Sequence, residues 1–298
     1  MDIIVKKNLF FLFSLIVIIP GIISLFLYGL NLSIDFTGGS RSTYLIPKNQ
    51  QEKTIESLEN VYEKNNVDVV TVQRAGDQVV IRTKPLDEKQ NKTVVTEAQK
   101  INKTLKQDEF ETVGPTIGNE TTIKALQAIV VASILIMIYI AISFRKVPKP
   151  TSSLRFGVIT VITLIHDVLV LLGVFSILGH FLHVEVDNLF LTALLTVMGF
   201  SVHDTIVVFD RIRENLLRVS GVPFAKIVND SILQTLVRSL NTSLTAVLVL
   251  LALLLFGGES IKWFVVALLI GIISGTYSSI FNAAPLLVLW DELKEKKK

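Results

Sequence analysis

The sequence predicts a polytopic α-helical membrane protein with six transmembrane helices and one α+β outer domain between helices 1 and 2. Half of the 298 residues are hydrophobic, and the mean hydropathy is +0.57, a value that water-soluble chains of this length seldom reach. Six apolar runs approach the roughly 20 residues that a spanning helix needs. They lie at about 9–30, 123–144, 154–179, 187–209, 238–257 and 262–290.

The first apolar run is predicted to be a retained helix, so that residues 1–30 form a cytoplasmic N-terminus and transmembrane helix 1. Lys6 and Lys7 precede the run, as they would in a signal peptide. Its apolar stretch is far longer than the roughly 7–15 residues of a signal-peptide core, and no small-x-small cleavage site follows it.

Residues 31–122 are predicted to form the outer domain. Two amphipathic helices and four β-rich segments alternate in the order β-α-β-β-α-β, which is typical of a ferredoxin-like fold. A turn at Ala75-Gly76-Asp77 is expected to join the middle strands as a hairpin. The predicted strands are 42–46, 67–74, 78–84 and 110–113, and the predicted helices are 52–65 and about 85–108.

Residues 123–290 are predicted to contain transmembrane helices 2–6, which gives a 1 + 5 arrangement around the outer domain. The 209–237 segment is amphipathic, and we expect one or two short helices there at the membrane surface. The last apolar run is long, so it is expected to tilt or to include an interfacial turn near Pro285. Residues 291–298 form a basic cytoplasmic tail.

The distribution of Lys and Arg predicts that both termini are cytoplasmic and that the outer domain is extracytoplasmic. The short loops on the opposite side, near 180–186 and 257–262, contain a single Lys or Arg, which is Lys262. The basic residues of the predicted inner side are Lys6, Lys7, Arg145, Lys146, Lys149, Arg155, Arg211, Arg213, Arg218, Lys226, Arg238, Lys294, Lys296, Lys297 and Lys298.

Composition and motifs exclude several kinds of site. The chain has no cysteine, so disulfides, thiolate nucleophiles and Cys-ligated metals are impossible. It contains no GxxxxGK[ST], GxSxG or HExxH sequence, and the spacing of its His and Asp residues does not predict a metal site. We therefore expect no enzyme activity, no metal and no cofactor. The net charge of +3 does not indicate nucleic-acid binding.

Asp204 is the first candidate functional residue, because a carboxylate inside an apolar spanning segment costs about 2.5–3.5 kcal/mol near its centre and commonly marks an ion or proton route. The predicted topology places it in the inner half of helix 4, and Arg238 opens helix 5 from the same side. The two are predicted to approach each other, either as a proton-carrying pair or as a static salt bridge. Alternatively, Arg238 extends to the headgroups.

Three further polar residues lie in the predicted spans. His166 and Asp167 are close to the middle of helix 3. Asp167 is either part of a proton pathway or a structural partner of His166. His203 precedes Asp204 and is either a titrating group of the proton pathway or a hydrogen-bonding spacer.

Small residues mark two further features. Asp35-Phe-Thr-Gly38-Gly39 and Gly114-Pro115 flank the outer domain and are predicted to be hinges. The predicted helices 5 and 6 carry small and polar residues that are expected to allow close helix packing. These are Asn241, Thr242, Ser243, Thr245, Gly271, Ser274, Gly275, Ser278, Ser279 and Asn282.

Taken together, these motifs resemble the SecF side of the SecD/SecF family of the Sec protein-translocation machinery, over nearly the whole chain. The matching positions are Asp35–Gly39 after helix 1, Gly114-Pro115 before helix 2, His166-Asp167, residues 199–215, residues 234–243 and residues 274–280. Position 203 is His where some relatives carry Asn.

The resemblance implies an RND-type membrane fold in the cytoplasmic (inner) membrane. It implies a proton-driven, non-enzymatic role in late preprotein export, with SecD and the SecYEG channel as partners and YajC-type or YidC-type proteins as further ones. It also implies that Asp204 and Arg238 take part in proton passage, while both H⁺ and Na⁺ stay open as coupling ions. Two alternatives are half of another RND-type exporter for lipids or small molecules, and a scaffold subunit that conducts no protons.

Overall fold

The computed structural model describes residues 2–46, 51–75, 77–102, 105–219 and 221–296. They divide into two compact units, one of residues 1–31 and 127–298 and one of residues 32–126. Within the described chain, six helical segments are long and apolar enough to cross a membrane. The predicted class of a six-span helical protein with one small α+β domain is confirmed.

The smaller unit consists of a four-stranded antiparallel sheet and two covering helices. In chain order it contains α2 (Ile34–Thr37), β1 (Gly39–Leu45), α3 (Gln51–Lys64), β2 (Val69–Ala75), β3 (Gln78–Thr83), α4 (Glu88–Ile101) and β4 (Lys106–Val113). The strand order is β2-β3-β1-β4 with every neighbouring pair antiparallel. This is the ferredoxin-like order that the sequence predicts. Gly76 of the predicted hairpin turn lies outside the described residues.

Alternation along the strands builds the core of this unit, because successive side chains of a strand point to opposite faces. Tyr44 of β1 and Ile81 of β3 are fully buried, and Leu58 of α3 and Val94 of α4 belong to the same core cluster. The helix predicted for residues 85–108 is shorter. Asp87 and Gln90 form a reciprocal capping box that starts α4 at Glu88, and β4 begins at Lys106 because it pairs with β1.

The larger unit contains the spanning helices. They are α1 (Lys7–Tyr28), α5 (Pro115–Ser143, whose first residues belong to the smaller unit), α6 (Ser153–Leu182), α7 (Asn188–Arg218), α8 (Phe224–Phe256), α9 (Lys262–Ser278) and α10 (Ala284–Glu295). A π-helical segment, Ser279–Ala283, joins α9 to α10. Of the two alternatives for the last apolar run, the interfacial turn near Pro285 is therefore wrong. Pro285 lies in the first turn of α10, where proline is tolerated, and the helix continues to Glu295, into the first residues of the predicted basic tail.

The short interfacial helices expected in residues 209–237 are also wrong. Instead, α7 continues to Arg218 and α8 starts at Phe224. The apolar side chains of Ile212, Ile227, Val228 and Ile232 along this segment are buried, whereas Leu217 and Val219 are exposed. The Asn215 amide donates to Ser231 Oγ at 2.8 Å. An amphipathic pattern fits a packed helix pair as well as a membrane surface, and packing prevails here.

Glycine allows a close contact between the backbones of α1 and α6. A Cβ added at Gly21 of α1 would lie 2.8 Å from Cα of Gly173 on α6, so the two backbones touch. One turn further, Ser24 and Ser176 share a hydrogen bond of 2.8 Å between their hydroxyls. Such contacts between small residues are the usual means by which membrane helices associate.

Candidate functional site

Asp204 is buried in the larger unit, with 5% of its surface exposed. Its Oδ2 accepts hydrogen bonds from Ser243 Oγ of α8 at 3.3 Å and from Thr276 Oγ1 of α9 at 3.2 Å. Those two hydroxyl oxygens are themselves 2.5 Å apart. Both bonds to Asp204 are long for hydroxyl donors, which usually lie about 2.7–2.8 Å from their acceptors.

Arg238 does not pair with Asp204 in the described part of the chain, so the predicted approach of the two side chains is not seen. Ser239 and Ser243 of α8 are buried, and Ser243 faces Asp204. Arg238 is next to Ser239 and is therefore turned about 100° away, onto the exposed side of the helix. The Ser239 hydroxyl, one turn before Ser243, is buried without a hydrogen-bond partner among the described residues.

Asp167 on α6 is fully buried and has a far stronger set of donors. Its Oδ2 accepts from Ser201 Oγ of α7 at 2.6 Å and from Ser278 Oγ of α9 at 2.7 Å. Its Oδ1 accepts from Ser274 Oγ of α9 at 2.8 Å, and Nδ1 of His166 lies 3.0 Å from the same oxygen. Asp167 thus joins α6, α7 and α9.

The two histidines of the predicted site differ in their surroundings. His166 is nearly buried and contacts Asp167, while its Nε2 has no hydrogen-bond partner among the described residues. His203 is exposed on α7. Asp204 faces α8 and α9. The structure therefore brings His166, but not His203, into a buried carboxylate cluster.

The two carboxylates lie on different sides of α9. Ser274 and Ser278 are one helical turn apart and share a face, whereas Thr276 lies about 200° around the helix from each of them. Between these faces, Gly271 packs against Val197 of α7, and Gly275 packs against Ser201. The α7–α9 contact is therefore flanked by Asp167 on one side and Asp204 on the other.

The two predicted hinge motifs meet within the smaller unit. Gly38 and Gly39 have φ of +72° and +125°, a region that favours glycine. A Cβ at Gly38 would lie 2.7 Å from Cα of Pro115, and one at Gly118 would lie 2.6 Å from the Gly38 nitrogen. The backbone before β1 and the start of α5 are thus in direct contact.

Sequence reasoning missed the hydroxyl partners of both carboxylates. Ser201 and Thr276 were not singled out, and Ser243, Ser274 and Ser278 were assigned to packing alone. A usable signal was present, because Ser274 and Ser278 are spaced by four residues on one helix. Among the described residues, no group of three His, Cys, Asp or Glu side chains is placed to hold a metal ion.

Comparisons with known proteins agree on one family. A family model described as "Protein export membrane protein SecD/SecF, C-terminal" matches residues 93–293, and one described as "SecD/SecF GG Motif" matches residues 23–44. The chain is 48% identical to protein translocase subunit SecF of Thermobaculum terrenum, over 97% of this chain and 94% of that protein. It is 43% identical to the SecF subunit of Anaerolinea thermophila, over 98% and 94%.

A solved structure shows the same fold. The crystal structure of SecDF, a translocon-associated membrane protein from Thermus thermophilus, matches with a TM-score of 0.83 and 32% identity. The match covers 98% of this chain and 39% of that one. The chain therefore spans about two fifths of the SecDF polypeptide.

Proposed function

Because this chain belongs to the SecD/SecF family of protein export membrane proteins, we propose that it is a SecF-type translocase subunit in which proton movement at Asp204 drives the outer domain. The observation that carries the proposal is the state of that carboxylate. It is buried, it has two long hydroxyl bonds, and no described cation pairs with it.

Such a carboxylate is suited to gain and lose a proton. A short bond from a strong donor, or a neighbouring cation, would hold its charge. Within the described chain, the hydrogen-bond donors to Asp204 are the hydroxyls of Ser243 and Thr276. A hydroxyl can accept from a protonated carboxyl as readily as it donates to a charged one. Protonation therefore requires no rebuilding of the site.

A route from the predicted inner side is supported by two residues of α8. Arg238 is exposed, and the buried hydroxyl of Ser239, between Arg238 and Ser243 in the sequence, has no hydrogen-bond partner among the described residues. We assign Arg238 to the opening of this route and Ser239 to its polar lining. In the described structure Asp204 makes no hydrogen bond with Asp167, His166 or His203, so we place these three outside the route.

The donors of Asp204 also open onto an uncovered surface, a groove of about 310 Å³ between α8 and α9. Ser243 and Thr276 line it together with apolar side chains that include Leu240, Leu244 and Ile273. We propose that a SecD chain supplies the other half of the complex and covers this groove. The SecYEG channel and a translocating preprotein are the further partners, with YajC-type or YidC-type proteins as accessories.

We propose that the complex lies in the cytoplasmic membrane, with both termini of this chain inside and residues 31–122 outside. The basic residues of the predicted inner segments support that orientation. The contact of Gly38 with Pro115 supports a hinge role for both glycine motifs. A change at α5 would be passed through this contact to the strand β1.

The decisive experiment is gradient-dependent export by the reconstituted complex with Asp204→Asn. Export should fall to the level measured without a proton gradient, because the amide cannot carry a proton. Asp210→Asn is the matched control, since Asp210 is an exposed carboxylate two turns further along α7 that pairs with Arg213. It should leave export unchanged.

The outcomes separate the alternatives. Full gradient-dependent export by Asp204→Asn would leave the chain as a scaffold subunit. Purification without a SecD-type partner, together with an unaltered export rate when this chain is removed, would favour an exporter of lipids or small molecules. Replacing the proton gradient by a sodium gradient identifies the coupling ion.

A further inference from the structure

We propose that Asp167 is a positioning residue for Asp204, acting through α9. The hydroxyls of Ser274 and Ser278 bind Asp167 from one face of α9. Thr276 donates to Asp204 from the opposite face. The inference deepens the proposed function, since it concerns the same carboxylate, but its test is independent of export.

Both carboxylate oxygens of Asp167 are contacted by polar side chains. Each of its oxygens has two contacts, and three of the four come from serine hydroxyls on other helices, at 2.6, 2.7 and 2.8 Å. Hydrogen bonds to charged groups are shorter and stronger than those between neutral groups. A side chain with this many short donors fixes its neighbours in place.

Two of these donors lie at the C-terminal end of α9. Ser274 and Ser278 belong to the last two turns of α9, and the π-helical segment starts at the next residue, Ser279. Such segments interrupt the regular helical register and often occur at functional sites. Asp167 therefore holds α9 immediately before its register changes.

The contact between α7 and α9 is tight. Ser201 donates to Asp167, and a Cβ at Gly275 would lie 3.1 Å from Cα of Ser201. With α6 and α7 both tied to the same carboxylate, α9 has one allowed rotation and height. That position sets the 3.2 Å separation of Thr276 Oγ1 from Asp204 Oδ2.

The other polar groups near Asp204 do not perform this task. His203 neighbours it on α7 but is exposed, and Arg238 on α8 is exposed as well. Tyr277, the nearest titratable residue of α9, donates its hydroxyl to the carbonyl of Phe10 at 2.8 Å. The hydrogen bonds of Asp204 therefore depend on the placement of α8 and α9.

The test is labelling of Asp204 by a hydrophobic carbodiimide, which reacts with protonated carboxyl groups, followed by mass spectrometry across a pH series. The purified full chain is used in detergent micelles. Loss of the Thr276 bond favours the protonated form, so Thr276→Val should extend labelling to higher pH by about one pH unit. Asp167→Asn should shift labelling in the same direction.

The double variant decides whether Asp167 acts through Thr276. If it does, Asp167→Asn added to Thr276→Val gives no further shift, because the bond that it controls is already absent. Additive shifts, or a folded Asp167→Asn variant with an unchanged labelling profile, would overturn the proposal. Asp167→Glu, which keeps the charge, should restore part of the original profile.

A milder variant covers the case in which Asp167→Asn does not fold. Ser278→Ala removes one donor and leaves the carboxylate in place, and it should produce a smaller shift in the same direction. Ser133→Ala is its control, since in the described part of the chain the Ser133 hydroxyl bonds only to a carbonyl of its own helix. An unchanged Asp204 profile in Ser278→Ala would count against the proposal, whether or not Asp204 drives export.

Discussion

Thr276 donates to Asp204 across the α7–α9 contact with an oxygen–oxygen distance of 3.2 Å, while Ser278, two residues later, donates to Asp167 at 2.7 Å. One helix thus serves two buried carboxylates with bonds of different length. The short bonds belong to a cluster that joins three helices. The long bond belongs to Asp204, for which we propose proton movement. Asp167 therefore holds the helices together, while Asp204 gains and loses the proton.

The α7–α9 contact predicts a graded series of glycine variants. A Cβ at Gly271 would lie 2.1 Å from Val197 Cγ2, whereas one at Gly275 would lie 3.0 Å from Ser201 Cβ. We expect Gly271→Ala to destabilise the purified chain by about 1–3 kcal/mol, the usual effect of overpacking. Gly275→Ala should cost less. Thermal unfolding in detergent micelles, followed by circular dichroism, measures both.

Gly199→Ala is the control for this series, because the added Cβ has no described atom within 4 Å apart from its own stretch of helix backbone and its chain neighbours. It should be neutral or slightly stabilising, since alanine is favoured over glycine in helices by about 1 kcal/mol. Val197→Ala should rescue Gly271→Ala by removing the overlapping methyl groups. Equal unfolding temperatures for the three glycine variants would refute the tight contact.

The backbone conformation of Gly39 predicts that replacing this glycine destabilises the smaller unit. Its φ of +125° is strained for any other residue, and a Cβ there would lie 2.8 Å from the carbonyl oxygen of Thr83. We expect Gly39→Ala to destabilise the smaller unit by about 1–3 kcal/mol. Limited proteolysis of residues 32–126 in the full chain would show faster cleavage.

Gly114→Ala is the matched control for Gly39→Ala, because its added Cβ has no described atom within 4 Å other than those of its chain neighbours. Its cleavage rate should equal that of the unmodified chain. If Gly39→Ala is cleaved no faster than Gly114→Ala, the junction is not strained and the glycine motif has another role.

Hydropathy and sequence pattern were sufficient to predict the fold, because each spanning helix is a long apolar run, while the helices of the outer domain are amphipathic and its strands are rich in β-branched residues. The two failures have one cause. The segment near residues 209–237 and the helix around Pro285 were assigned from local signals for membrane surfaces and turns, whereas packing between helices decides them. Burial of Ile232 and the hydrogen bond from Asn215 to Ser231 are long-range facts that a local pattern does not contain.

The carboxylates of the site were predictable, but their partners were not. A charge such as Asp204 is conspicuous in an apolar run. The hydroxyls of Ser201 and Thr276 are not conspicuous, because serine and threonine are common in membrane helices and often bond to their own backbone. Which of them reaches a carboxylate depends on helix rotation, and the exposed position of Arg238 depends on the same rotation of α8.

The absence of an Asp204–Arg238 ion pair predicts that Arg238 contributes little to the stability of the isolated chain. Arg238→Gln should change the free energy of unfolding by about 0.5 kcal/mol or less, as for most exposed positions. Arg155 is the contrasting case. It is 13% exposed and lies 3.5 Å from Asp291, so Arg155→Gln should cost about 1–2 kcal/mol.

Unfolding of both variants in detergent micelles measures this difference. A loss for Arg238→Gln as large as that for Arg155→Gln would show that Arg238 has a buried partner in solution. In that event Asp204→Asn should cancel the loss, because both variants would remove the same pair.

The Tyr44–Tyr62 pair predicts an alkaline limit for the outer domain. Both phenols are fully buried, and their oxygens are 2.9 Å apart. Burial raises the pKa of both groups, and for Tyr44 the neighbouring Tyr62 raises the pKa further. A raised pKa favours the neutral phenol in the folded state, so this contribution to stability is complete below the unfolded value of about 10 and is lost as the pH rises above it.

Above about pH 10 each buried phenol should reduce the free energy of unfolding by up to about 1.4 kcal/mol per pH unit. Tyr44→Phe should therefore halve this slope, although it also removes the shared hydrogen bond and lowers stability at neutral pH. Tyr139→Phe is the control, since Tyr139 lies on α5 in the larger unit and outside the sheet, and it should leave the unfolding of the outer domain unchanged. Tyrosinate absorbance recorded beside circular dichroism tests the mechanism, because Tyr44 and Tyr62 should ionise only as the sheet unfolds. Ionisation of every tyrosine near pH 10 with the sheet intact would contradict it.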